Sequence, residues 1–277
     1  GVGKTTESIL FNESLHNLII LIFLSLLFFF AQDSIDIFNL SIAYTMTRLI
    51  VLISAFFRLN TSIKIKFRIK ENHFKGSINF LQNNLLAFVS SSLDIFLFGI
   101  LFSSVDLGFY SVVSRLSLVI IIIPQIINTH YLPVFARLFN EKKYLNLKNE
   151  LLNIMRYMTI LSVIIILIFT LFGKMILGFW GEEFSEWYVI LLIVGIGHSI
   201  NASTGPVGSI LLMANEERTT RNISIFILSL FSMIVLFFSE DLRIIDFCIL
   251  FSLVIIIENL LKLFYAYHKI FNPYINK

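Results

Sequence analysis

The sequence predicts an all-α, polytopic membrane protein, a bundle of eight transmembrane helices. Three observations lead there: apolar runs long enough to cross a bilayer, a shortage of charge, and loops whose charge alternates along the chain. Of the 277 residues, 57% are hydrophobic and only 14% are charged, against roughly 25% charged in soluble domains. The mean hydropathy is +0.87, so we expect lipid to cover most of the folded surface.

The apolar runs indicate helices rather than strands. A helix needs about 20 apolar residues to cross the hydrocarbon core, whereas a barrel strand shows only about 10 residues of alternating polarity. The runs here are long and continuous. The predicted spans are Leu15–Ala31, Ile35–Leu59, Ile78–Phe102, Gly108–Tyr131, Leu151–Phe172, Trp187–Met213, Ile223–Phe238 and Phe247–Tyr267.

The loops between these spans alternate between basic and acidic. The first segment, every second loop after it and the last segment together carry fifteen Lys and Arg residues. The other loops carry only Lys174 and Arg243, among Asp and Glu residues. Because cytoplasmic loops collect Lys and Arg, the pattern predicts that both ends of this chain are cytoplasmic. It also supports an even number of spans.

Several kinds of site are not expected. The start, Gly1–Thr6, ends like a phosphate-binding loop, but that motif needs a buried strand before it and a soluble helix after it. Here the next residues enter a predicted membrane helix, which indicates a loop between helices. The single cysteine, Cys248, allows no intrachain disulfide. The five His residues are scattered, so we predict no enzyme, no cofactor, no metal site and no nucleic-acid partner.

Three charged residues lie inside predicted spans: Arg48, Asp94 and Arg115. A charge at the middle of a membrane helix costs about 2.5–3.5 kcal/mol on insertion scales, so its presence needs a reason. One interpretation is that the three line a water-filled cavity. The other is that Asp94 and Arg115, on consecutive antiparallel spans, form an ion pair that locks two helices. The two interpretations are compatible, and the sequence leaves both open.

Other polar or helix-breaking residues also fall in spans. His198 fits either a packed, hydrogen-bonded side chain or a proton-binding group. Pro124 removes a backbone hydrogen bond and is predicted to kink the fourth span. Gly205 and Pro206 loosen the sixth. In transporters such breaks mark cavities and moving parts, while close helix packing explains glycine equally well.

Five segments, in order and spacing, resemble the oligosaccharide flippases of the Wzx type, which share a superfamily with the MATE drug exporters and the lipid II flippase. Asp94, about twenty residues before Arg115, also resembles an Asp of that family. The segments are Gly1–Thr5, Leu107–Leu116, Pro133–Leu138, Phe179–Phe184 and Ile200–Glu216.

The resemblance implies a two-lobe architecture. That family has twelve or fourteen helices, and the match implies that this chain begins after the fourth, as a C-terminal fragment. Residues 1–76 are then the end of the first transmembrane lobe, two helices and a basic cytoplasmic linker. Residues 77–277 are then a complete second lobe of six helices. We therefore expect four further helices before Gly1.

The resemblance also implies a function. A flippase of this kind moves an undecaprenyl-pyrophosphate-linked oligosaccharide across the bacterial inner (plasma) membrane by alternating access, for O-antigen or capsule biosynthesis. Arg48 and Arg115 would then line the substrate cavity, and Asp94 and His198 would couple H⁺ or Na⁺. Implied partners are membrane lipid, a polysaccharide polymerase and a chain-length regulator.

Three alternatives stay open. A MATE-type drug or cation exporter has the same architecture and a more acidic cavity. A membrane glycan polymerase or ligase has many spans but performs its chemistry in a large outer loop, and every predicted outer loop here is short. A non-functional truncation is the third.

Overall fold

The computed structural model describes residues 41–42, 44–50, 53 and 71–272. The chain divides into two compact units, Gly1–Phe74 and Lys75–Lys277. In the first unit, residues 44–50 are helical. The predicted span Leu15–Ala31 and the loop at the start lie outside the described residues, as does most of Ile35–Leu59. The predicted lobe boundary after residue 76 therefore stays a prediction.

Residues 71–272 form helices joined by short turns, and no strand occurs among them. The elements are α1 (Glu71–Leu101), α2 (Ser104–Ser117), α3 (Val119–Asn140), α4 (Tyr144–Gly178), a 3₁₀ helix (Glu182–Trp187), α5 (Tyr188–Ser203), α6 (Val207–Met213), α7 (Glu217–Phe237), α8 (Ile244–Ala266) and a π-helical turn (Tyr267–Phe271).

The predicted class, an all-α polytopic membrane protein, is confirmed. Within the described part of the chain, five segments are long and apolar enough to cross a membrane, and α1 contributes a shorter apolar stretch, Phe88–Leu101. The predicted total of eight extends beyond these residues and stays a prediction. The five segments are Ser104–Ile127, Tyr144–Gly178, Glu182–Met213, Glu217–Phe237 and Ile244–Phe271.

The fourth predicted span is two helices, α2 and α3, interrupted at Leu118. The interruption comes six residues before Pro124, which lies within α3. The buried Ser117 hydroxyl donates to the carbonyl oxygens three and four residues back, at 2.8 and 3.0 Å. The Ile121 N–H donates to the Leu118 carbonyl, as in a 3₁₀ turn. A serine that bonds back to its own helix tends to bend it, which accounts for the position of the irregularity.

The sixth predicted span is also interrupted, between α5 and α6. The helix leaves regular geometry at Thr204 and resumes at Val207. Gly205 has φ +66°, in the left-handed region. Only a residue without a Cβ adopts this conformation freely, and Pro206 then has no N–H to continue the ladder.

The α5 helix is the centre of the second unit and packs against α2, α3, α4 and α8. Glycines allow the close approach. A Cβ added at Gly197 would lie 3.0 Å from the Ser252 Cα on α8, and one at Gly195 would lie 3.1 Å from the Ile166 side chain on α4. Helices in lipid associate through such small residues, because no hydrophobic effect drives them together there.

The buried apolar side chains form two separate cores along the bundle. The first core surrounds Tyr110 and takes its α5 residues from Ile190 to Ala202. The second core surrounds Phe135 and takes Val207, Ile210 and Leu211 from α6. The α5–α6 break therefore coincides with the boundary between the cores. On α4, the first core ends at Phe169 and the second begins at Met158; on α8, the first ends at Phe251 and the second begins at Ala266.

Candidate functional site

Asp94 is the most deeply buried acidic residue among those described, with 3% of its surface exposed. It lies on α1 and accepts two hydrogen bonds from α2, from the Tyr110 hydroxyl at 3.0 Å and the Ser114 hydroxyl at 3.1 Å, both at Oδ2. Tyr110 and Ser114 are four residues apart and so share one face of α2. A carboxyl group in a membrane segment is thus held by two neutral donors.

Aromatic rings enclose this carboxyl group on one side. The Phe98 and Tyr110 rings stack with centroids 4.3 Å apart and an interplanar angle of 3°. Phe247 of α8 packs edge-on against both rings, at 5.4 and 6.0 Å. Tyr110 and Phe98 are fully buried. The Tyr110 ring is therefore fixed by packing, and its hydroxyl is held toward Asp94.

The predicted ion pair between Asp94 and Arg115 is not formed. Arg115 is exposed, on a different face of α2 from the buried Ser114, and no ion pair in the described part of the chain includes either residue. One residue along a helix turns the side chain by about 100°, so a helix that points Ser114 at Asp94 points Arg115 away.

Arg48 lies in the first unit, within the helical residues 44–50. Its guanidinium donates to the Tyr44 hydroxyl at 3.1 Å, and its Cζ lies 5.5 Å from the Tyr44 ring centroid. The side chain is exposed on the surface of that helix. Its role as a cavity residue stays a prediction.

His198 lies inside the bundle, with 6% of its surface exposed, and its ring packs edge-on against Phe251 of α8. Three buried polar atoms have no hydrogen-bond partner within the described residues: Ser162 Oγ, His198 Nδ1 and Ser199 Oγ. The antiparallel register of α4 and α5 places them together, because Gly195 meets Ile166 and Gly205 meets Met155. Counting along both helices from these contacts puts Ser162 at the level of His198 and Ser199.

A third polar cluster joins α7 to α8. Glu258 accepts a hydrogen bond from Ser224 at 2.6 Å and pairs with Lys262 at 2.6 Å. The Glu258 and Lys262 side chains are only 15% and 16% exposed. One turn further along, Glu216 accepts from Tyr265 at 2.8 Å. Paired charges of this kind are the form in which membrane segments tolerate ionised groups.

Sequence reasoning identified some of these residues and missed others. Glu258 and Lys262 are four apart on one helix, a spacing that indicates an ion pair, but the sequence analysis did not use it. Ser162 carries no local feature that separates it from other serines in apolar runs. Its importance comes from the register of α4 against α5, which is a tertiary property.

These features define a class: a multi-pass helical membrane protein with polar and charged groups held inside its bundle. The chain belongs to the polysaccharide biosynthesis protein family, whose model matches residues 8–189, well over half of the 277 residues. No curated protein and no solved structure matches the chain. The family assignment agrees with the resemblance found in the sequence and connects the protein to polysaccharide biosynthesis.

Proposed function

We propose that this protein translocates a lipid-linked oligosaccharide, carried on undecaprenyl pyrophosphate, across the bacterial inner membrane for surface polysaccharide biosynthesis. The observation that carries the proposal is the buried Asp94–Tyr110–Ser114 network inside a member of the polysaccharide biosynthesis family. A sugar and a pyrophosphate cannot cross hydrocarbon unaided, because their polar groups lose water without replacement. A flippase supplies polar and cationic groups along the path.

Arg115 is a candidate for contact with the pyrophosphate. Its side chain is exposed and free of any carboxylate partner in the described part of the chain. An arginine pairs with phosphate through two parallel hydrogen bonds. Arg48 is the matching candidate in the first unit. The proposed protein is a transporter rather than an enzyme and uses alternating access, driven by an ion gradient.

Asp94 and His198 are the candidates for the coupling ion, H⁺ or Na⁺. Asp94 offers a carboxylate whose second oxygen, Oδ1, is not used by Tyr110 or Ser114. His198 offers Nδ1 beside the hydroxyls of Ser162 and Ser199. Both sites hold acceptor atoms inside the membrane, which an entering cation requires.

The test is glycan export in a bacterial strain that lacks its own flippase, with the natural gene supplied in trans. We expect Asp94→Asn and Arg115→Ala to reduce surface polysaccharide and to increase the lipid-linked precursor in the membrane. Arg115→Lys keeps the charge and should retain most export. The matched control is Asp106→Asn, because Asp106 bonds only its own N-cap, Ser103, at the end of α2.

The outcomes separate the classes. Normal export by both Asp94→Asn and Arg115→Ala would remove these residues from the mechanism. Failure of the unmutated gene, together with efflux of a cationic dye, would favour a drug or cation exporter. Dissipating either the proton or the sodium gradient in the complemented strain identifies the coupling ion.

A further inference from the structure

An apolar groove of about 450 Å³ lies between α4 and α8. Its volume falls within the range of roughly 300–1,000 Å³ that is typical of small-molecule pockets. Its wall is aliphatic and aromatic except at one end. The lining residues are Lys148, Leu151, Leu152, Met155, Leu260, Leu263, Phe264, Tyr267 and Phe271.

The groove has a buried floor and an open rim. Leu151 and Phe271 are 2% and 1% exposed, whereas Leu260 and Phe264 are 46% and 70% exposed. The open rim is thus itself apolar. An apolar chain fits such a groove better than any hydrated molecule does, because the contact removes hydrocarbon surface from water or from looser lipid packing.

Lys148 closes one end of the groove. Its ammonium group donates to the Tyr267 hydroxyl at 3.1 Å and lies 4.7 Å from the Tyr267 ring centroid. The π-helical turn that begins at Tyr267 brings this ring over α4. Among the described residues, no carboxylate lines the groove. The positive charge at its end is therefore held in place by a neutral partner.

The position of Lys148 along α4 matches the depth of a lipid headgroup. Lys174, near the other end of α4, lies over the Tyr188 ring at 5.7 Å. The two lysines are 26 residues apart, which is about 39 Å along a helix. A bilayer with its headgroups is about 40–45 Å thick, so the two ammonium groups lie at opposite interfaces. The charge of the loops predicts that Lys148 is on the cytoplasmic side.

We propose that this groove binds an anionic glycerophospholipid of the inner leaflet, with one acyl chain along the apolar wall and the phosphate beside Lys148. Basic pockets between membrane helices on the cytoplasmic side bind such headgroups. The charge complementarity is direct: one unpaired cation at headgroup depth stands at the end of an apolar channel that runs toward the membrane centre. The site is independent of the proposed transport function.

The experiment is a competition measured by native mass spectrometry of the purified full-length protein. Phosphatidylglycerol and phosphatidylcholine with identical acyl chains are offered together, and retained adducts are counted. We expect about a five-fold preference for phosphatidylglycerol, the effect of roughly one lysine at an anionic surface. Lys148→Ala should reduce the ratio to about one, and Lys148→Arg should keep it. Leu260→Trp, which fills the groove from its exposed rim, should reduce retention of both lipids.

Lys174→Ala is the matched control, since Lys174 also packs on a tyrosine ring at an interface but lines no part of the groove. It should leave the lipid ratio unchanged. Equal retention of both lipids by the unmutated protein would overturn the proposal, as would an equal loss of preference in Lys174→Ala. A polyprenyl phosphate that displaces phosphatidylglycerol would reassign the groove to the isoprenoid tail of a substrate. Normal lipid selectivity in a protein that exports no glycan would leave this site standing without the transport function.

Discussion

Replacing Gly197 with alanine should destabilise the bundle more than the same change at any open glycine position. A Cβ at residue 197 would lie 3.0 Å from both Cα and Cβ of Ser252 on α8 and 3.2 Å from its Oγ. Backbone atoms cannot rotate out of the way, so α5 and α8 must separate by several tenths of an ångström. The Ser252 hydroxyl, which donates to the Ile193 carbonyl of α5 at 2.9 Å, would be strained by the same movement.

The magnitude follows from two opposing effects. Overpacking a filled interface costs about 1–3 kcal/mol. Alanine in place of glycine in a helix returns up to about 1 kcal/mol. Gly108 of α2 has no atom within 4 Å of the position where its Cβ would be, so Gly108→Ala receives only the second effect. The difference between the two variants therefore isolates the overpacking, and we expect it to be about 1–3 kcal/mol.

The assay is thermal unfolding of both variants in the same detergent, followed by the loss of monodisperse protein on size-exclusion chromatography. Gly197→Ala should unfold at a lower temperature than the unmutated protein, and Gly108→Ala at the same or a higher temperature. Equal stability of the two variants would refute the argument that α5 and α8 are in contact at Gly197. A Gly197→Ala protein that is destabilised only when Ser252 is present, and not in Ser252→Gly, would locate the clash.

Three further expectations concern other parts of the second unit. Glu258→Gln or Lys262→Met alone should destabilise the protein by about 3 kcal/mol, because each leaves a charge without its partner; the double variant should recover part of this loss in the same thermal assay. Gly205→Ala should cost about 1–2 kcal/mol at its left-handed backbone and Gly205→Asn less, and equal melting temperatures for the two would count against the observed break. The Lys143 ammonium beside Glu141 lowers the pKa of that exposed carboxyl, so this contact stabilises the protein above the usual glutamate range and is lost as the pH falls. The small stability gap between the unmutated protein and Lys143→Met should accordingly close on acidification.

The helical class was accessible from the sequence because lipid imposes a simple rule. Every backbone polar group in the membrane must bond within its own helix, so long apolar runs have one reading. The break at Gly205 and Pro206 was equally accessible, since those residue types disturb helices in any context. The irregularity at Leu118 was not, because it depends on which rotamer the Ser117 hydroxyl adopts.

The partners of Asp94 show where sequence reasoning failed. The two charges, Asp94 and Arg115, suggested an ion pair, because opposite charges in a membrane attract strongly. The structure uses Tyr110 and Ser114 instead. Their spacing of four residues was visible in the sequence, but the rotation of α2 about its axis was not. That rotation is set by the fit of the Tyr110 ring between Phe98 and α8, which no local pattern reports.

The separation of the bundle into two cores has a mechanical consequence. The α5–α6 break lies at the depth where one core ends and the other begins, so bending there disturbs few apolar contacts. A bend acts as a lever: a tilt of about 10° over half of a 30 Å hydrocarbon layer displaces the far end of a helix by about 3 Å. Small angular changes at Gly205 are thus amplified at the membrane surface. A lobe built in this way can deform within itself as well as rotate as a single body.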